Sequence, residues 1–222
     1  MYHWVKDKEY LKQSYSVSAD LVNQLVQHLK HYEIEASMYS IGSARHNMVT
    51  QNDNEPIDFD FNLLIENGFC YNGRKLKETV REAFNEILER NGLEDCDDST
   101  SVLTTKKIIL KGKNKTAFSV DVGIVSFDSF DRLHRLIHNK SGWVQYDTFI
   151  WNEVPQYRGL NEKENAIKPD YWQLVREKYL EKKNLYLSAQ DNNHPSFVCY
   201  IEAVNEVYAN ITTCKRAEVI NP

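Results

Sequence analysis

The chain has 222 residues, of which 41% are hydrophobic and 27% charged. This is the composition of an ordinary folded protein, long enough to bury a core without disulfide staples. Its formal net charge of -5 speaks against a surface that grips long nucleic acid throughout, although a small anionic substrate needs only a few local cations.

The four cysteines, Cys70, Cys96, Cys199 and Cys214, form no C-x-x-C pair, and no His stands at zinc spacing from them. Reduced thiols of a cytosolic protein are the expectation. No apolar run approaches the roughly 18 residues of a membrane span, and the polar segment Met1 to Tyr10 does not read as a secretory leader. A cytoplasmic location follows as an expectation.

In chain order, the first helix is expected over Ser18 to Tyr32, where Leu21, Val22, Leu25, Val26 and Leu29 recur at helical spacing behind a Ser18 N-cap. Ala36 to Ile41 reads as a strand ending at Gly42-Ser43, followed by a polar loop to Pro56. Ile57 to Ile65 alternates: Ile57, Phe59, Phe61 and Leu63 point one way, Asp58, Asp60 and Asn62 the other. Arg74 to Asn91 is a helix, with Gly92 at the position of a left-handed C-terminal cap. Thr100 to Leu110 and Thr116 to Val125 read as strands joined by the lysine-rich turn 111–115. In the second of these, Ser119, Asp121 and Gly123 share one face. A helix is expected over Ser129 to Asn139. Trp143 to Val154 fits either type, and Gln156 to Ile167 reads as a loop. Pro169 to Lys183 and Pro195 to Thr212 are expected helices with proline first. The reading is α+β: a strand-rich first part over 1–126 precedes a mostly helical part over 127–222.

Three features of this chain carry chemistry. Gly42-Ser43 closes a strand. Asp58 and Asp60 lie on the next strand, two residues apart and hence on one face, roughly 6.5–7 Å from each other along it. Asp121 lies on a later strand between apolar residues. Like-charged carboxylates sharing a desolvated space repel, and aspartate is disfavoured in strands, so three such residues need a reason. A divalent cation supplies it. Mg²⁺ takes oxygen ligands and binds through a few carboxylates plus substrate phosphates, and three acids suffice for two ions about 3.5–4 Å apart. Glycine at the bend lets polyphosphate approach the backbone, and a helical or nest-like turn after Ser43 would add favourable dipoles.

The ordered set Ile41-Gly42-Ser43, Ile57-Asp58-Phe59-Asp60-Phe61 and Val120-Asp121-Val122 resembles the DNA polymerase beta-like nucleotidyltransferase superfamily over about residues 18 to 125. The resemblance implies a palm-like catalytic domain over 1–126, a mixed β-sheet with flanking helices. It implies two Mg²⁺ ions, with Mn²⁺ as a substitute, held by Asp58, Asp60 and Asp121. It implies a nucleoside triphosphate, ATP by preference, held by Gly42 and Ser43; Arg45 and His46, directly after the bend, are either phosphate contacts or plain loop residues, and Lys140-Ser141 is a further candidate for the triphosphate. The reaction it implies is transfer of a nucleoside monophosphate to an acceptor on a small molecule, a protein or an RNA end, with release of pyrophosphate. The spacer between the two motifs is slightly long and lacks the second Gly-Thr or Gly-Ser turn of many relatives.

Other groups carry less. Lys106, Lys107, Lys111, Lys113 and Lys115 read as a solvated hairpin, and Lys140 also suits a helix C-terminus. Trp143, Tyr146, Phe149, Trp151 and Tyr157 read as packing, with one at most stacking a base. His28, His31, His134 and His138 are placed on helices without a triad. Two alternatives stay open: a catalytically silent binding module of antitoxin type, and a metal-dependent phosphodiesterase.

Overall fold

The fold is a computed structural model that describes residues 1–157, 159–191 and 194–220, with side chains to 213. The Cys214 thiol lies outside the described side chains. Two compact units form. One comprises Val5–Val49 and Asn54–Pro155, the other Met1–Trp4, Thr50–Asp53 and Gln156–Pro222.

The elements follow in order: β1 (Tyr2–Trp4), α1 (Lys8–Leu29), β2 (Ala36–Ser40), α2 (Gly42–Arg45), β3 (Thr50–Asn52), β4 (Ile57–Ile65) and α3 (Gly73–Arg90). Then come β5 (Asp97–Asp98), β6 (Leu103–Thr104), β7 (Phe118–Phe127), β8 (Leu133–Asn139) and β9 (Thr148–Glu153). The chain ends in α4 (Leu160–Ile167), α5 (Trp172–Ser188) and α6 (Ser196–Ile220).

The larger unit is built on one mixed sheet. β4 is central in it, antiparallel to β2 and parallel to β7. β7 also pairs antiparallel with β6 and with β8, and β8 with β9. One face of this sheet is apolar because β4 and β7 alternate. Ile57, Phe59, Phe61, Leu63 and Ile65 join Phe118, Val120, Val122 and Ile124 in a core with Leu21, Val22, Leu25 and Leu29 of α1 and Val80, Phe84, Ile87 and Leu88 of α3. Burying that face against two amphipathic helices leaves the other face of the sheet to present its polar residues.

α1 starts ten residues before the expected Ser18. Asp7 caps it by accepting the Tyr10 N–H at 2.9 Å, while Ser18 is interior and turns its hydroxyl back to the Ser14 carbonyl. The helix α3 is as expected, and Gly92 adopts φ +69° beyond its end. The strand expected over 100–110 shrinks to Leu103–Thr104 and one bridge from Ile108 to Phe118.

The helix expected over Ser129 to Asn139 is strand β8. Phe130, Leu133 and Leu136 imitate a helical period over a short run, but His134, Leu136 and His138 are the buried positions, which is a period of two. Asp128 makes the hairpin by accepting the N–H groups of Phe130 and Arg132, with Asp131 at φ +57°. His134 and His138 are thus on a strand, not a helix. β8 and β9 both lie beyond residue 126, where the mostly helical part was expected to begin, and both belong to the sheet. Lys106 is ion-paired to Asp97.

The smaller unit pairs β1 with β3 antiparallel and adds α4, α5 and α6. Gln156 to Ile167 was expected as a loop. Its last eight residues are α4, started by Gly159 at φ +74° and anchored by buried Ile167 and by Glu164, which accepts the Tyr200 hydroxyl. Val175, Tyr179, Cys199, Ala203 and Val204 are buried in this unit. Lys183 lies 3.8 Å above the Tyr2 ring and donates to Thr50 Oγ1 at 2.9 Å.

Candidate active site

The polar face of the sheet is ordered in rows by the parallel register of β4 and β7. Asp58 stands opposite Ser119, Asp60 opposite Asp121, and Asn62 opposite Gly123. Neighbouring strands are about 4.8 Å apart, so Asp60 and Asp121 emerge side by side. All three predicted acids therefore leave one face of two adjacent strands.

Their surroundings differ. Asp58 is exposed, and its Oδ1 accepts the Ser119 hydroxyl. Asp60 is half-buried. Its backbone carbonyl accepts the Ile41 N–H at 2.9 Å, which ties the end of β2 to the carboxylate strand. Asp121 is half-buried as well. Burial raises its carboxyl above the usual range, the Thr104 hydroxyl works against that, and the negative charge of Asp58 adds to it. Its Oδ1 is buried without a hydrogen-bond partner, a state that costs free energy and points to an absent ligand or a proton.

Gly42 and Ser43 open α2 directly after β2, so the chain does turn helical at the bend. Gly42 has φ +66°, and a β-carbon there would overlap Oδ2 of Asp60. The glycine is thus required twice, by its backbone angle and by the carboxylate beside it. The Ser43 carbonyl accepts the Met48 N–H at 2.8 Å, which closes the turn. Arg45 is exposed at the end of α2. Lys140, at the end of β8, donates its ammonium to the Asp98 carbonyl.

Among the described residues, no three His, Cys, Asp or Glu side chains stand grouped closely enough to hold a metal ion as they are. The donor chemistry still fits a hard divalent cation. The donors are all oxygen, and one of them is buried and orphaned at Asp121. Mg²⁺ keeps only one or two protein carboxylates where substrate phosphates complete its shell.

Ser119 and Asn62 are functional candidates that the sequence reading placed on this face without assigning them a role. The signal was the shared two-residue period with Asp121 and Asp60. A second cluster was not legible. His138 places Nδ1 2.8 Å from Asp98 and Nε2 3.0 Å from Asp147, and the buried Lys77 ammonium lies 2.7 Å from Asp98. Asp147 also accepts the Ser141 N–H at 2.7 Å. This network fixes the segment after β8 to β5 and α3.

Fold and polar face together define a chain of nucleotidyltransferase fold, as the resemblance implied. Several solved structures are similar to it along most of its length, two of them as follows. One is CdnC of E. coli MS115-1, determined with ATP: TM-score 0.54, 16% identity, covering 90% of this chain and 61% of that one. The other is the Vibrio cholerae cyclic AMP-GMP synthase DncV, in complex with the linear intermediate pppA(3′,5′)pG: TM-score 0.53, 10% identity, covering 86% of this chain and 57% of that one. At such identities the likeness is one of fold, and this chain spans about three fifths of the length of those proteins. No protein-family model and no curated protein sequence matches it.

Proposed function

We propose that the chain is a Mg²⁺-dependent nucleotidyltransferase that moves a nucleoside monophosphate from ATP to an acceptor hydroxyl. The observation that carries this reading is the Asp60–Asp121 row, with Asp58 beside it and Gly42 pressed against Asp60. Asp58, Asp60 and Asp121 would hold the ions, two in number, which supply charge neutralisation at the phosphates when bound. The likeness to CdnC with ATP supports ATP as donor. The likeness to DncV supports the hydroxyl of a second nucleotide as acceptor.

The chain's own residues have distinct tasks. Gly42 lets the triphosphate approach the backbone, and Ser43 and Arg45 offer a hydroxyl and a cation beside it. Lys140 is a further candidate phosphate contact, reached by exchanging the Asp98 carbonyl for a phosphate oxygen. The acceptor oxygen attacks the α-phosphorus, the bond to the β-phosphate oxygen breaks, and pyrophosphate leaves. Asp121, whose Oδ1 is buried and unpartnered on this face, is the group placed to receive the proton of the acceptor hydroxyl. Positioning and electrostatics do the remainder.

The test is incubation of the purified protein with each α-labelled triphosphate and Mg²⁺ or Mn²⁺, alone and with cellular RNA. Label appearing in a new product together with pyrophosphate, abolished by Asp60→Asn, is the expected result. Nucleotide binding without turnover would replace the enzyme by a silent binding module. Cleavage of RNA without a triphosphate would replace it by a phosphodiesterase.

A further inference from the structure

One row beyond Asp60 and Asp121, Asn62 and Gly123 stand opposite each other. Arg135 of β8 pairs with Val125, so by the two-residue alternation its side chain leaves the same face as Asp121 and Gly123. Its Nη2 donates to Asn62 Oδ1 at 3.0 Å. To reach Asn62 on β4 from β8, the side chain must cross β7 entirely.

It crosses at Gly123. A β-carbon there would stand 3.3 Å from Nε and 3.4 Å from Cζ of Arg135. Glycine weakens a strand interior, and here a β-carbon would crowd the guanidinium and also Asn62 Oδ1, 3.3 Å away, by a few tenths of an ångström. Asn62 is fixed in turn, its Nδ2 donating to the Tyr39 hydroxyl at 3.0 Å. The Arg135 Nε–H is buried with no hydrogen-bond partner. Burial lowers the basicity of the guanidinium, and the charge of Asp60 works the other way.

A half-buried cation with an orphaned, buried Nε–H is an expensive way to hold a sheet together. An apolar side chain of the same length would pack there at less cost. The charge itself is therefore what the position supplies. A cation beside a carboxylate row acts with opposite sign on the two things that row receives. It repels a divalent cation and attracts a polyphosphate.

We propose that Arg135 sets the charge of the carboxylate face, so that the nucleotide-free protein binds divalent cations weakly and ion and nucleotide enter together. Its guanidinium contacts Asn62, two residues or roughly 6.5–7 Å along β4 from Asp60, and acts on Asp60 through its charge. This inference rests on the function proposed above. By linkage, whatever makes the ion depend on the nucleotide makes the nucleotide depend equally on the ion.

The experiment measures Mn²⁺ binding to the full chain without nucleotide, by the paramagnetic signal of the free ion, and binding of a non-hydrolysable ATP analogue in Mg²⁺. Arg135→Met is expected to bind Mn²⁺ about tenfold more tightly and the analogue about tenfold more weakly, the scale of one charge acting at this separation. Arg135→Lys should stay within about twofold of wild type in both, because the charge is kept. Thermal unfolding of Arg135→Met should match or exceed wild type. Arg135→Gln, which removes the charge and keeps a side-chain amide beside Asn62, should move both affinities in the same directions and serves if Arg135→Met does not fold.

A purely structural residue would weaken both ligands together. Mn²⁺ affinity unchanged or reduced in Arg135→Met, where Asp60→Asn abolishes binding, overturns this inference alone. Mn²⁺ binding indifferent to Asp60→Asn overturns the proposed metal site as well.

Discussion

Gly42 lies directly against the Asp60 carboxylate: a β-carbon at position 42 would overlap Oδ2 and stand 3.1 Å from Cγ. The bend after β2 and the carboxylate of β4 are therefore a single construction, joined also by the hydrogen bond from the Ile41 N–H to the Asp60 carbonyl.

Gly42→Ala should consequently damage chemistry more than folding. The left-handed backbone costs a non-glycine residue about 1 kcal/mol, which a domain of this size tolerates. Displacing Asp60 should lower the rate of pyrophosphate release at least about 100-fold, the usual cost of a misplacement near 1 Å. Circular dichroism should show the fold retained. Full activity in a folded Gly42→Ala protein would separate Asp60 from the reaction.

Asp121→Asn should remove transfer and raise stability at neutral pH. The folded-state carboxyl titrates above its unfolded value of 3.8, so the native state holds the proton more tightly than the unfolded chain. Ionisation then costs stability, progressively as pH rises from the unfolded value through the folded one. Thermal unfolding from pH 4 to 7 should show wild type falling behind Asp121→Asn as pH rises. Mg²⁺ with nucleotide should restore the wild type and not the variant.

Ser119→Ala removes the hydroxyl that Asp58 accepts. A lost partner of a metal-binding carboxylate typically weakens the metal by 10- to 100-fold. We expect roughly a tenfold rise in the Mg²⁺ concentration for half-maximal rate, with little change in unfolding temperature. A Mg²⁺ titration curve superimposable on wild type would mean that Asp58 needs no orientation from Ser119.

Lys77→Met should be the opposite kind of variant, destabilising without touching the carboxylate face. The Lys77 side chain is only 3% exposed and pairs with Asp98 at 2.7 Å. Its loss leaves a largely buried carboxylate with His138 as its remaining charged partner, at a cost of about 3 kcal/mol. Burial opposes the charge of Asp98, and Lys77 and His138 outweigh it, holding the carboxyl below its usual range. The stabilisation is thus present above the unfolded pKa and is lost as pH falls through the folded one. Urea unfolding at pH 7 should show the full difference, narrowing in acid.

The alternation along Ile57–Ile65 and Phe118–Phe127 was enough by itself to separate an apolar from an acidic face and to put Asp58, Asp60 and Asp121 on strands, because a period of two is a local property of the chain. The bend at Gly42 and the C-cap at Gly92 were legible for the same reason: a glycine's backbone freedom is its own. Which strand lies beside which is not local. The parallel pairing that sets Asp60 opposite Asp121 joins segments sixty-one residues apart in sequence, and only the assembled sheet decides it. Strand β8 shows the limit most sharply. Its residues fit a helix nearly as well when read alone, and the open edge of β7 made them a strand. That outcome lays Arg135 across Gly123 to Asn62, an arrangement that exists only when β8, β7 and β4 are paired.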